Sequence, residues 1–296
     1  MDKKKRVLMV KNKIVSEGVI YHITQRAPGR EKLFVEERDY LKFLSLLKEI
    51  TRKYSLSIFA FSLLPNHIHV LLRVNNRDLA SPMKALFQRY AIYFNNKYER
   101  KGHVFCGRYR AALCNDERYL LTISAYIHLN AYRAGLSSTP FGYRWHSLDV
   151  YVKNFKDKSF IDTAFILNIL SQDTEEARGS YKILMEEASN IKDIKSKDYL
   201  LELKGLRKFY RQFMRVIVGR RKVLNCKFVK KFSDIKKIQE IIDKNKRRKS
   251  LESKEAKRYV IEQLLSRGFK IGEIADHLRL HRSTVYRILN TSYLKH

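Results

Sequence analysis

Two histidines one residue apart carry the first chemical signal in this chain. They lie in Leu64-Pro65-Asn66-His67-Ile68-His69-Val70-Leu71-Leu72-Arg73, a run that reads as a β-strand. Side chains alternate faces along a strand, so His67, His69 and Leu71 share one face and Ile68, Val70 and Leu72 the other. The second face can enter a core. The first sets two imidazoles side by side, in reach of one divalent ion. A histidine pair on a solvated sheet face is the competing reading, because short patterns over-match.

A second signal comes from the stretch 117–134, which reads as a helix. Leu120, Ile123, Ser124, Ile127, Ala131 and Ala134 form a face that can pack. Tyr119, Tyr126, Asn130 and Arg133 cluster on its flank. Tyr126 and Asn130 are four apart and stand one above the other. A phenol and a carboxamide there could address a site on an adjoining sheet. A core-edge tyrosine above a weak cap is the plainer alternative.

The elements that must position these groups follow from periodicity. Val19 to Arg26 is rich in β-formers and ends at Ala27-Pro28-Gly29, a turn signal. A helix over 37–53 has one apolar face made by Tyr40, Phe43, Leu44, Leu47 and Ile50. Leu56 to Leu64 predicts a strand that Pro65-Asn66 breaks, with the histidine strand as its antiparallel neighbour. Ser81-Pro82 suits a helix start, and Leu79, Met83, Leu86, Phe87, Tyr90 and Phe94 carry that helix to about Tyr98. Short strands are expected at 104–106 and 108–113. Asn115-Asp116 is the expected cap of the 117–134 helix, and Gly135 its stop.

The order β-α-β-β-α-β-α fits an α+β fold: a ferredoxin-like antiparallel sheet with helices on one face. The histidines then belong on the bare face, or at its rim beside the third helix. An all-α half follows. The domains expected are 1–150, which carries the site, a helical basic middle region at 151–250, and a helix-turn-helix at 251–296.

Charge narrows the partners. The 296 residues hold 61 Lys plus Arg against 30 Asp plus Glu, a net +31. Such an excess predicts attraction to a polyanion and steep salt dependence. Cys106, Cys114 and Cys226 are odd in number and lack zinc spacing, which suggests reduced thiols in a cytosolic protein. The apolar run after Arg6 is too short for a signal peptide or a membrane span, so no membrane partner is expected.

In the second half, 204–231 is densely basic with Phe209, Tyr210, Phe213 and Phe228 interleaved. A DNA-gripping surface and a basic helical spacer explain it equally well. The run 244–249 reads as a linker. In the last 45 or so residues, Val260, Ile261, Leu264 and Leu265 make one helix, with Gly268 as its turn. Ile271, Ile274, Ala275 and Leu278 make a second. Leu280, Val285, Ile288 and Leu289 pack a third, the recognition helix. Arg282, Ser283, Thr284 and Arg287 lie on or near its outer face, placed for DNA bases or phosphates.

Several segments together are similar to one known family. Tyr21-His22-Ile23-Thr24-Gln25-Arg26, Pro65-Asn66-His67-Ile68-His69 and 126–136 resemble the REP-associated tyrosine transposases. These are single-tyrosine members of the His-hydrophobic-His endonucleases. Arg144-Trp145-His146-Ser147 resembles the run that closes the family domain. Ala131 stands where the family usually has proline, and His146 where it has serine.

The resemblance implies metal-dependent cleavage and strand transfer of single-stranded hairpin DNA from palindromic repeats. It implies Mg²⁺ or Mn²⁺ held by His67, His69 and Asn130, with Tyr126 as the nucleophile that forms a 5′-phosphotyrosine. Tyr119 and Tyr132 are rival nucleophiles. The implied setting is the bacterial cytoplasm, at the nucleoid. A domesticated DNA-binding protein without catalysis, and a phosphodiesterase that uses water, are the alternatives. A homodimer, and duplex DNA as a second partner through the C-terminal domain, stay open at this point.

Overall fold

The computed structural model describes residues 19–29, 31–76, 78–114, 117–153, 159–191, 199–219, 257, 260–261, 264 and 269–290. The described chain forms two compact units. The larger one holds the sheet and the helices around it; the other holds the helix-turn-helix.

The larger unit is built on strands β1 (Ile20–Arg26), β2 (Leu56–Leu64), β3 (His67–Val74) and β4 (Arg110–Leu113). Their order in the antiparallel sheet is β2-β3-β1-β4, the ferredoxin-like arrangement. Pro65 and Asn66 form the tight turn between β2 and β3, and their carbonyls accept backbone bonds from Ala27, Leu33 and Phe34. The chain leaving β1 is thereby tied to the hairpin that carries the histidines. The expected strand at 104–106 is absent as a strand; that segment is a bend, held to β1 by Cys106 N–H donating to the Arg26 carbonyl.

Helix α1 (Glu37–Lys53) packs against α2 (Ala80–Lys97) and β2. Asp39 sits in the first turn of α1 and caps it by accepting the backbone N–H groups of Val35 and Glu36. It also takes Lys97 at 2.5 Å and Tyr98 at 2.7 Å, so a fully buried carboxylate joins the two helices. Burial would raise its pKa, but these bonds outweigh it and hold it below the usual carboxylate value.

Helix α3 (Glu117–Arg133) crosses the histidine face of the sheet, on β2 and β3. Of the two placements expected, the histidines therefore take the one beside the third helix. Expecting a single packing face on α3 was too narrow: every residue from Tyr119 to Leu129 is buried. The sheet lies on one side of α3, and α6 (Thr174–Ser189) on another. Ala131 keeps the helix unbroken to Arg133. Gly135, at φ +76°, then ends it, with Leu136 N–H returning to the Ala131 carbonyl. The proposed cap at Asn115-Asp116 lies outside the described residues.

Short helices α4 (Leu148–Val152) and α5 (Ala164–Leu167) pack on α6. A buried relay joins these elements. His128 Nδ1–H donates to Tyr181 Oη (2.8 Å), which donates to Ser124 Oγ (2.9 Å). Ser147 Oγ–H donates to His128 Nε2 (2.8 Å) and accepts the Phe61 N–H (2.9 Å). The register of α3 against the sheet thus rests on satisfied polar contacts as well as packing.

In helix α7 (Tyr199–Gly219), Phe209 and Phe213 stack at 5.5 Å and are fully buried. They are core residues of the larger unit, which removes them from any DNA-gripping surface. Phe228, Cys226 and the linker at 244–249 lie outside the described residues. Among the described residues no helix is long and apolar enough to cross a membrane. Cys106 is an exposed free thiol, and Cys114 is buried.

The second unit contains α8 (Ile271–His277) and α9 (Arg282–Asn290). Val260, Ile261, Leu264, Ile274, Ala275, Leu278, Val285 and Leu289 form its core, with Leu280 and Ile288 packed against it. These are the apolar positions expected of the helix-turn-helix. Leu265 and Gly268 lie outside the described residues.

Candidate active site

Antiparallel pairing fixes which side chains share the histidine face. Thr24 stands opposite His69, Arg26 opposite His67 and His22 opposite Leu71; β2 adds Ser62 opposite His69, and β4 adds Arg110 opposite Thr24. Directly paired residues point to the same side. One face therefore carries three imidazoles and two hydroxyls, with basic side chains from β1 and β4.

The imidazoles are held individually. His67 Nδ1 meets Asn66 Oδ1 at 2.7 Å. Only an Nδ1–H can donate there, so the lone pair of His67 is on Nε2. His69 Nδ1 lies 2.9 Å from His22 Nε2. On its other edge, His69 Nε2 lies 3.3 Å from the Asn130 carboxamide nitrogen, and Asn130 also bonds His67. Asn130 thus reaches both histidines of the pair, as the helix-to-sheet reading expected.

Burial keeps the rings neutral. It pushes His22 down to about 4. It pushes His67 to about 4 as well, with Asn130 pulling the other way and Arg26 adding to the depression. His69 falls well below 6.5 through burial and its two histidine neighbours. Neutral imidazoles keep their lone pairs, which is the state that binds metals.

Tyr126 is the tyrosine that faces this cluster. Its ring is edge-on to His69 at 5.9 Å and to His22 at 6.5 Å between centroids. Phe209 lies against it at 5.7 Å, and the Arg133 guanidinium carbon sits 5.7 Å from its centre. Tyr126 is 7% exposed. Its rival Tyr119 is fully buried, seven residues earlier, against Tyr210 at 6.1 Å.

The donor set fits a divalent ion. Two neutral imidazoles converge with a carboxamide that can turn its oxygen inward, and both histidines have their Nδ1 engaged elsewhere. Imidazole nitrogens suit transition-series ions and a carbonyl oxygen suits Mn²⁺ or Mg²⁺. Among the described residues no group of three or more His, Cys, Asp or Glu could hold a metal. A metal held here would need the asparagine as its third protein ligand.

Sequence reading placed none of His22, Thr24, Asn66 and Phe209 at this site. Of these, His22 had a usable signal: it alternates with Thr24 and Arg26 along β1, so its side chain had to share their face. Phe209 had none, since only the fold brings residue 209 to residue 126.

In the second unit the four proposed DNA-contacting residues differ in placement. Ser283 and Arg287 are exposed on α9, and Thr284 is half-buried. Arg282 is also exposed but folds back over α8, where a Cβ on Gly272 would come within 2.9 Å of its guanidinium. Tyr286 is 52% exposed on the same face as Ser283 and Arg287 and was not singled out from sequence.

Residues 15–130 match the family described as IS200-like transposases. Residues 252–292 match the homeodomain-like domains. One similar solved structure is that of a REP-associated tyrosine transposase bound to a REP hairpin. It is 14% identical over 46% of this chain and 79% of its own, with a TM-score of 0.40. No curated protein matches the chain.

Proposed function

We propose that this protein is a metal-dependent single-stranded DNA endonuclease and strand transferase of the transposase type, with hairpin DNA as substrate. The observation that carries the reading is the meeting of His67, His69 and Asn130 beside the ring of Tyr126. A bound Mg²⁺ or Mn²⁺ would neutralise the scissile phosphate and polarise its phosphorus. His67 and His69 would offer Nε2 to that ion, and Asn130 its carboxamide oxygen.

Tyr126 is the nucleophile. Its Oη–P bond forms as the P–O3′ bond breaks; the phenolic proton goes to solvent and the departing 3′-oxygen takes one up. The 5′-phosphotyrosine so formed retains the phosphodiester energy, and a second 3′-hydroxyl can reverse the step to join strands. Arg133 provides positive charge beside the phenol as negative charge develops. Arg26 and Arg110, on the same sheet face, suit the flanking phosphates. DNA reaching Tyr126 has to displace part of the cover made by Phe209.

The helix-turn-helix serves as a duplex-binding module, with Ser283, Thr284 and Arg287 toward the DNA and Arg282 at its edge. The net charge of +31 supports a polyanionic partner for both units. The expected boundary at 150 falls inside α4, and α6 and the Phe209–Phe213 part of α7 pack with the larger unit, so only the separate C-terminal helix-turn-helix at 251–296 is retained from the expected division, with a cytoplasmic setting.

The test is to incubate the full chain with end-labelled hairpin DNA and Mn²⁺. Cleavage with a denaturant-resistant adduct is expected, lost on chelation and in His67→Ala. Cleavage without an adduct would favour water as nucleophile. Binding without either would leave a DNA-binding protein.

A further inference from the structure

His22 is buried on β1, where its ring meets His69 and lies edge-on to Tyr126. The ring centroids are 5.1 Å apart and the planes differ by 21°. That separation is about the 2.9 Å N···N distance plus a ring radius at each end. The rings therefore meet edge to edge, nearly in one plane, which is hydrogen-bond geometry and not a face-to-face stack.

One proton lies between His22 Nε2 and His69 Nδ1, and its position decides what His69 can do. If His69 Nδ1 holds it, His69 Nε2 has a free lone pair facing Asn130. If His22 Nε2 holds it, neutral His69 must carry its own proton on Nε2, where it cannot bind a metal. His67 solves the same problem with Asn66 Oδ1, an obligate acceptor. His69 has His22 in that place, with the Thr24 hydroxyl more distant at 3.5 Å from both nitrogens.

We propose that His22 is a positioning residue: as the Nδ1–H tautomer it accepts the Nδ1–H of His69 and keeps His69 Nε2 turned toward the Asn130 side as a ligand. This rests on the metal-binding reading above. A ligand histidine commonly donates its second N–H to a carboxylate, a carbonyl or water, and loss of such a partner weakens metal binding about 10–100-fold. Here a neutral imidazole takes that part.

The test uses the full-length, metal-free protein labelled with ¹⁵N at histidine. His69 is expected as the Nδ1–H tautomer, with a ¹⁵N–¹⁵N coupling across the bond to His22 Nε2. His69 found as Nε2–H would overturn the proposal. In His22→Phe the tautomer should become mixed and Mn²⁺ affinity, read by electron paramagnetic resonance, should fall about 10–100-fold. In His22→Gln, whose amide oxygen can accept the same proton, both should recover to within a few-fold. Equal losses in the two variants, or none in His22→Phe, would refute the role. Absence of Mn²⁺ binding by the unaltered protein, with the expected tautomer present, would count against the metal reading and support the tautomer assignment.

Discussion

Acid should weaken the larger unit in a way that can be traced to His22. This imidazole titrates at about 4 in the folded chain against 6.5 for the free group, because burial disfavours its charged form. Between those values the unfolded chain holds the extra proton, so stability is complete above pH 6.5 and is lost as the pH falls through the window; below about 4 this group takes nothing more. Integrating one such site gives a loss of about 2 kcal/mol between pH 7 and pH 5, and about 3 kcal/mol in full. His69 and His128, also held well below 6.5 by burial, should add losses of the same sign. Urea unfolding followed by fluorescence isolates this unit, because the single tryptophan, Trp145, stacks on Tyr40 within it. The pH 7 to pH 5 loss should be smaller by about 2 kcal/mol in His22→Gln, which has nothing to protonate at that position. An identical loss in the two proteins would refute a neutral, buried His22.

Three other outcomes follow from particular contacts. Tyr181→Phe removes the hydroxyl between His128 Nδ1 and Ser124 Oγ and should cost about 1–3 kcal/mol in urea unfolding at neutral pH. Lys97→Met leaves Asp39 buried beside Tyr98 without its ammonium partner; because Lys97 is partly exposed, the loss should be about 2 kcal/mol, and it should grow with pH as Asp39 ionises. Arg287→Ala, on the exposed face of α9, should weaken duplex binding about evenly across sequences and lower the salt slope by about one, as read by fluorescence anisotropy.

The fold was largely legible because its strands and helices have clean periods. Alternation along β3 and the Pro65-Asn66 break located the hairpin, and the apolar positions of 260–289 located the helix-turn-helix core. The burial of α3 on several sides was not legible, since the helix that covers its far side, α6, lies beyond residue 170 and shows no local sign of its target. The site divided in the same manner. Spacing within one strand or one helix put His67 with His69 and Tyr126 with Asn130 on shared faces, while their joint assignment to one site rested on the family resemblance. Alternation gives His22 the face of Thr24 and Arg26, but pairing of β1 with β3 is what brings it to His69, and Phe209 arrives only through packing between distant segments. Arg282 shows the reverse limit: its helix position faces outward, but its long side chain returns to α8.

The central claim is that the phenol of Tyr126 becomes bonded to DNA. The direct measurement is mass spectrometry of the peptides from a Mn²⁺-dependent adduct on hairpin DNA. A nucleotide-bearing peptide modified at Tyr126, and no adduct from Tyr126→Phe, is the expected result. Modification at Tyr119 or Tyr132, or an undiminished adduct in Tyr126→Phe, would contradict it.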